Sequence, residues 1–209
     1  MAQLELTALT WGNEPPEHLR LIYEESFPIE ERRPWGQLFG MAQWEHIAWL
    51  ICLDEEPIGF AVGWELPSAH YFEYLVIEPA YRGQGLGAEA ASGKKLDFTE
   101  IQIPVGPRLG AKVIEMLSYK YDDEYPVVLE CEPAGYSPMA ERRLAFYARM
   151  GLRPLPFGYR QPPYGEGLPW VDLHLLSNRA VEYPSFAQIR DEIYRYVYKV
   201  SSSESAPLE

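Results

Sequence analysis

The run Tyr81-Arg82-Gly83-Gln84-Gly85-Leu86-Gly87, set directly behind the apolar stretch Tyr74-Leu75-Val76-Ile77, restricts this chain more than any other feature. Three glycines at alternate positions leave the backbone free of side chains, so several N–H groups converge on an anion where a strand feeds a helix. That is the geometry of a phosphate-binding turn, and Arg82 adds a fixed positive charge ahead of it. Two familiar phosphate loops fit poorly. Gly83, Gly85 and Ala88 satisfy G-x-G-x-x-A, yet no first strand of a βαβ unit opens the chain and no acidic residue closes a second strand about 20 residues on. Gly87 and Gly93-Lys94 imitate a Walker loop, but five residues rather than four separate the glycines, and Lys95 stands where a Ser or Thr must hold magnesium.

What does fit is R-x-x-G-x-G behind a hydrophobic strand that ends Ile77-Glu78-Pro79. Arg82, Gly85 and Gly87 resemble motif A of the GNAT superfamily of acetyl-CoA-dependent N-acetyltransferases. A second similarity lies in Ser137-Pro138 followed by Leu144-Ala145-Phe146-Tyr147-Ala148-Arg149-Met150-Gly151-Leu152, which looks like the family's late helix and its Tyr-x-x-x-Gly-Phe/Leu turn. Together they span Val62 to Leu152. The resemblance implies a GNAT-like α+β fold, three layers α/β/α around a central mixed, mostly antiparallel sheet, with acetyl-CoA as cosubstrate.

Composition agrees with a single domain over residues 1–200 and a flexible tail at 201–209. At 209 residues and 47% hydrophobic content the chain has enough material for one sizeable core. No stretch approaches the roughly 20 apolar residues of a membrane span, and Met1-Ala2-Gln3-Leu4-Glu5 lacks a basic leader, so a cytoplasmic protein without membrane contact is expected. Cys52 and Cys131 sit in apolar, strand-like runs where a reduced, buried thiol is the default. His18, His46, His70 and His174 have no ligand spacing, and no metal site is expected. A net charge of −13 argues against nucleic acid and leaves a cationic acceptor attractive. A homodimer stays open.

Periodicity predicts a strand at 4–9, a helix at 18–26 with Leu19, Ile22 and Tyr23 on one face, and a hairpin of 44–53 and 57–66 joined through Asp54-Glu55-Glu56. Further strands are expected at 69–77, 127–131 and 171–176. A helix capped by Ser137, with Pro138 first and Gly151 at its end, should follow the second of these, and an amphipathic helix should run from Phe186 to Val200.

The segment between the two motifs departs from the family. Ala88 to Gly110 intervenes where a helix should follow the loop at once, and that helix comes late, as Ala111-Lys112-Val113-Ile114-Glu115-Met116-Leu117. Leu86-Gly87-Ala88 recurs as Leu109-Gly110-Ala111, and deleting 88–110 rejoins a family-like loop and helix. An insertion is therefore expected. The repeat allows a second register, with Gly106-Pro107-Arg108-Leu109-Gly110-Ala111 at the pyrophosphate. The first is preferred, because it keeps the arginine and because Pro107 removes a backbone donor from the second.

The chemistry implied is attack of an amine on a thioester. An alkylamine of pKa near 10.4 arrives protonated, so a base is needed. Glu73, nine residues before Arg82, is one candidate, at strand spacing that puts it on the face of Leu75 and Ile77. Glu132, at the end of the next strand, competes with it. Each is equally readable as a strand-end carboxylate facing water. Tyr147 is the candidate acid for the departing thiolate, against the alternative that it is simply core. The resemblance further implies that amides of Leu75, Val76 and Ile77 meet the pantetheine arm and thioester oxygen. It gives Arg82 and the loop Gly83, Gln84, Gly85, Leu86, Gly87 and Ala88 to the pyrophosphate. It also implies that the segment 24–35, with Glu24, Glu25, Glu30 and Glu31, roofs an amine acceptor from a small molecule or a protein. A silent acetyl-CoA-binding module is the alternative function.

Overall fold

The computed structural model describes residues 3–9, 12–39, 46–82, 101–102 and 125–200. The loop 83–88, the stretch read as an insertion apart from residues 101 and 102, the helix expected at 111–117 and the tail 201–209 lie outside the described residues.

Among the described residues a nine-stranded sheet organises the fold. In sequence the strands are β1 (Gln3–Ala8), β2 (His46–Leu53), β3 (Glu56–Glu65), β4 (His70–Ile77), β5 (Ile101–Gln102), β6 (Val127–Cys131), β7 (Arg153–Pro154), β8 (Tyr159–Gln161) and β9 (Val171–Ser177). Across the sheet they run β5-β1-β2-β3-β4-β6-β9-β7, with β8 on β9. Every pairing is antiparallel except that of β4 with β6. The expected hairpin of β2 and β3 turns through Asp54 and Glu55, both with positive φ, 50° and 69°. Left-handed residues at both turn positions match the twist of the flanking strands.

Helix α1 (Glu17–Ser26) lays Leu19 and Tyr23, both fully buried, on β3 and β4. A 3-10 turn at Ile29–Glu31 and a short helix α2 (Trp35–Leu38) continue on that side, where the rings of Trp35, Phe39 and Phe60 pack edge to face and that of Tyr23 lies tilted against Trp35. Helix α3 (Pro138–Arg149) covers the opposite face. It starts where the Ser137 hydroxyl accepts the Ala140 N–H at 3.0 Å and stops at Gly151, whose φ of +82° suits a residue without Cβ. The single helix expected from Phe186 to Val200 is instead α4 (Tyr183–Glu192) followed by a π turn, Ile193–Tyr198, closed by left-handed Lys199. The wider turn places Ile193, Tyr194, Val197 and Tyr198 all in the core, a shift that hydrophobic spacing does not announce.

Two departures from regularity in β4 matter most. Its parallel pairing with β6 covers only His70↔Val127, Tyr71↔Val128 and Phe72↔Leu129, after which the strands part. On its other edge Val62 faces Tyr74 and Gly63 faces Phe72, so Glu73 is a surplus residue, a β-bulge. Side chains therefore stop alternating at Glu73. Tyr74 and Val76 pack under α1, while Phe72, Leu75 and Ile77 pack with α3. Glu73 thus does not share a face with Leu75 and Ile77, contrary to the spacing argument.

Gly59 of β3 sits opposite Ile77, and a Cβ built there would collide with the Val76 carbonyl and lie 3.2 Å from the Ile77 Cα. Backbone cannot swing aside as a side chain does. Gly59→Ala should cost about 1–3 kcal/mol through this overpacking, read as a lowered midpoint in urea with unchanged slope.

Candidate active site

Beyond Phe72 and Leu129 the edge of β4 from Glu73 to Ile77 has no strand partner among the described residues, and a gap opens between it and the end of β6. Leu75 and Ile77 flank the gap on the α3 side, and Val76 on the other. Arg82 lies at its mouth. Its guanidinium donates to the Ile77 carbonyl and to the Ser26 hydroxyl at 3.1 Å, joining the ends of β4 and α1. Both acceptors are neutral oxygens. The arginine is thereby aimed while its charge stays unmatched by them. Residues 83–88, expected to complete an anion cradle, lie outside the described residues.

Tyr147 of α3 packs against the cluster that contains Cys131, Leu129 and Ile77, with its ring 5.4 Å from that of Phe146. Its hydroxyl makes no hydrogen bond to a described residue. Burial, together with the nearby Cys131 thiol, pushes it up to about 12, so it carries its proton throughout the neutral range. The Cys131 thiol is itself lifted to about 11 by burial; both cysteines are free and buried.

The two carboxylates expected as bases are already engaged. Glu73, with its side chain 1% exposed, accepts from Arg33 Nε at 2.7 Å and Tyr164 OH at 2.9 Å on one oxygen, and from Trp64 Nε1 at 2.6 Å on the other. Glu132, buried just past β6, pairs with Arg143 of α3, and the Cys131 thiol approaches its other oxygen at 3.9 Å. Neither faces water. Arg33, which sequence reasoning passed over, is 4% exposed and also donates to the Val197 carbonyl at 3.0 Å. It lies under the Tyr164 ring, 4.8 Å from its centroid. Tyr74 clamps the same loop, accepting the Arg33 N–H and donating to the Glu31 carbonyl, both at 2.9 Å.

Residues 14–92 match the sequence model of the acetyltransferase (GNAT) family. The fold is that of the GNAT acyl-CoA N-acyltransferases. A solved structure described as a GNAT-family acetyltransferase, from Bacteroides thetaiotaomicron, is 26% identical and superimposes with a TM-score of 0.68 over 88% of this chain and 92% of its own. A spermidine N-acetyltransferase chimera from Vibrio cholerae shares the fold at 13% identity, with a TM-score of 0.52 over 88% and 99% of the two chains. Among curated proteins, a 35-residue stretch is 60% identical to the energy-dependent translational throttle protein EttA of Mycobacterium tuberculosis. That match takes in 17% of this chain, which spans only 6% of EttA's length.

The GNAT fold here contains one more carboxylate that the sequence did not flag, Glu130 of β6, half-buried among tyrosines. Tyr159 donates to one of its oxygens and Tyr198 to the other at 2.7 Å, while the Tyr71 hydroxyl lies 3.4 Å from that of Tyr198. The hydroxyls of Tyr198 and Tyr164 are 3.1 Å apart, and Tyr164 also reaches Glu73. Proton counting is instructive. With Glu130 ionised, Tyr198 and Tyr164 both spend their protons on carboxylates and none is left for the contact between them. A proton on Glu130 completes the series Glu130, Tyr198, Tyr164, Glu73. Burial, opposed by the tyrosine hydrogen bonds, lifts Glu130 from 4.5 to about 7. Among the described residues no group of His, Cys, Asp or Glu is arranged to hold a metal, and no helix is long and apolar enough to cross a membrane.

Glu130 binds its proton more tightly folded than unfolded. Its contribution to stability is full below pH 4.5 and is lost as pH rises through about 7. The native chain should therefore lose on the order of 2 kcal/mol from this group between pH 5 and 8, and Glu130→Gln should flatten that slope in denaturant titrations. Arg33→Ala, which strands the buried Glu73, should cost about 3–5 kcal/mol in the same measurement.

Proposed function

We propose that this chain is an acetyl-CoA-dependent N-acetyltransferase that passes an acetyl group to a primary amine of a small molecule or protein by direct attack. The observation that carries the reading is the parting of β4 from β6 after three paired residues, with Arg82 fixed at the open end. The unpaired edge of β4 offers backbone donors for an acyl chain and its carbonyl oxygen, and the charge of Arg82 suits a phosphate. Amides of Leu75, Val76 and Ile77 would hold the pantetheine arm, and residues 82–88 the pyrophosphate. Acetyl-CoA supplies the activated carbonyl carbon. Tyr147 would hand a proton to the departing sulfur, its high pKa keeping that proton available at neutral pH. We further read residues 1–200 as one cytoplasmic domain. The acceptor would enter under the loop that Arg33 and Tyr74 hold down, and polyamines, the substrate class of the Vibrio cholerae neighbour, suit an acidic chain of net charge −13.

One observation favours a second reading, a silent acetyl-CoA-binding module: Glu73 and Glu132 are both neutralised by arginines. Amine-dependent release of coenzyme thiol separates the two.

Calorimetric titration with acetyl-CoA should show saturable binding, abolished by Gly85→Glu, which puts bulk and negative charge in the loop. Absence of binding by the folded natural chain would refute both readings. Tyr147→Phe should bind acetyl-CoA normally and release thiol about 10²–10⁴-fold more slowly, the range for a lost general acid. An unchanged rate would return Tyr147 to the core.

A further inference from the structure

Glu31, the last residue of the 3-10 turn in the acceptor loop, differs from the other carboxylates around the gap. Its Oε1 is shut off from water and has no hydrogen-bond partner among the described residues. A carboxylate oxygen left so is costly unless something arrives to meet it. Its position is fixed from behind, because Tyr74 of β4 holds its carbonyl at 2.9 Å and the Glu30 carbonyl accepts from Gln161 at 3.2 Å. The loop belongs to the α1 side of the sheet, while Cys131 and Arg143 belong to the α3 side. Yet the Glu31 carboxyl lies close enough to both for their charges to influence one another. Groups from opposite faces meet there because β4 and β6 have parted.

Resting on the acetyltransferase reading above, we propose that Glu31, rather than Glu73 or Glu132, is the catalytic base that receives the acceptor's proton on Oε1. An arriving ammonium gives one proton to Glu31 and becomes a neutral amine. Its lone pair forms the C–N bond at the thioester carbonyl as the C–S bond breaks. The sulfur takes the Tyr147 proton, Tyr147 recovers the proton leaving the new amide nitrogen, and Glu31 returns its own to water. Elimination supports the assignment, since Glu73 accepts from three donors and Glu132 is paired with Arg143. So does acidity. Burial first, then Glu30, lifts Glu31 above the ordinary carboxylate range, with Arg143 opposing, which moves it towards the pH where a base is most effective. The other ionisable groups around it are Cys131 of β6, Glu132 just past that strand and Tyr74 of β4. Among the described residues none of these has a buried acceptor oxygen without a partner.

The test is Glu31→Gln, which keeps the side-chain shape and the carbonyl held by Tyr74, assayed with primary alkylamines and a lysyl peptide across pH 5–9. Acetyl-CoA affinity by calorimetry should stay unchanged, and the melting midpoint should not fall, since the substitution removes a carboxylate that burial disfavours. Thiol release should fall about 10²–10⁴-fold, and the acid-side decline of kcat/KM expected of the natural chain should vanish. Without coenzyme, the carbon NMR signal of the Glu31 carboxyl, identified by its loss in the variant, should shift on adding an alkylamine. A variant that binds acetyl-CoA, keeps the natural rate and keeps the acid limb overturns Glu31 and leaves the acetyltransferase intact. A natural chain that binds no acetyl-CoA and releases no thiol overturns both.

Discussion

An arginine removed from water persists only where partners replace its hydration, and Arg33 is held at 2.7 Å by a carboxylate that is itself almost wholly enclosed. Four distant parts of the chain converge on this ion pair: the loop after α1 that carries Arg33, the bulge of β4 that carries Glu73, the stretch around Tyr164, and the π turn whose Val197 carbonyl takes another guanidinium proton. None of them has much regular hydrogen bonding of its own at that point. Remove the pair and each loses the contact that fixes it against the others. The geometry around the gap, including the positions of Glu31 and Tyr74, descends from this arrangement.

The strands and the longer helices were legible because their causes are local. The apolar runs of β2, β3, β4, β6 and β9, the Asp54-Glu55 turn and the Ser137-Pro138 start of α3 are each written within a dozen residues. What escaped was written at a distance or in backbone detail. Arg33 and Glu73 are 40 residues apart and look like two ordinary surface charges until folding joins them. The run Glu30-Glu31-Arg32-Arg33 reads as a solvated loop, though Arg33 ends almost fully buried and one Glu31 oxygen loses contact with water. The three residues of β8 lie among prolines and glycines that suggest only a loop, and no pattern marks the π turn, because Tyr194, Val197 and Tyr198 are apolar in either helical geometry.

Four glutamates within a short span of space meet four different fates, and environment alone decides which. Glu73 is held by an arginine and by indole and phenol donors. Glu132 is matched by an arginine at the edge of the core. Glu130 is enclosed by tyrosines that can share a proton but cannot cancel a charge. Glu31 is enclosed without a partner for one oxygen. The same functional group thus serves as anchor, brace, proton store and vacancy. Chemistry falls to the one whose needs the protein leaves unmet.

Position along a strand obeys a parity rule, odd residues to one half of the molecule and even residues to the other. The surplus residue at Glu73 inverts that parity for everything downstream. The same chain running through this point as a regular strand, with Glu73 paired and no bulge, would hand Leu75 and Ile77 to α1 and leave Tyr74 and Val76 beneath α3. Hydropathy would scarcely register the exchange, since both pairs are apolar or aromatic. Recognition would, because the Tyr74 hydroxyl would be walled off by the sheet from the Glu31 carbonyl and the Arg33 amide. The two halves of this site are kept in step by a count, and pairing Glu73 into a regular register would put them on opposite sides of the same wall.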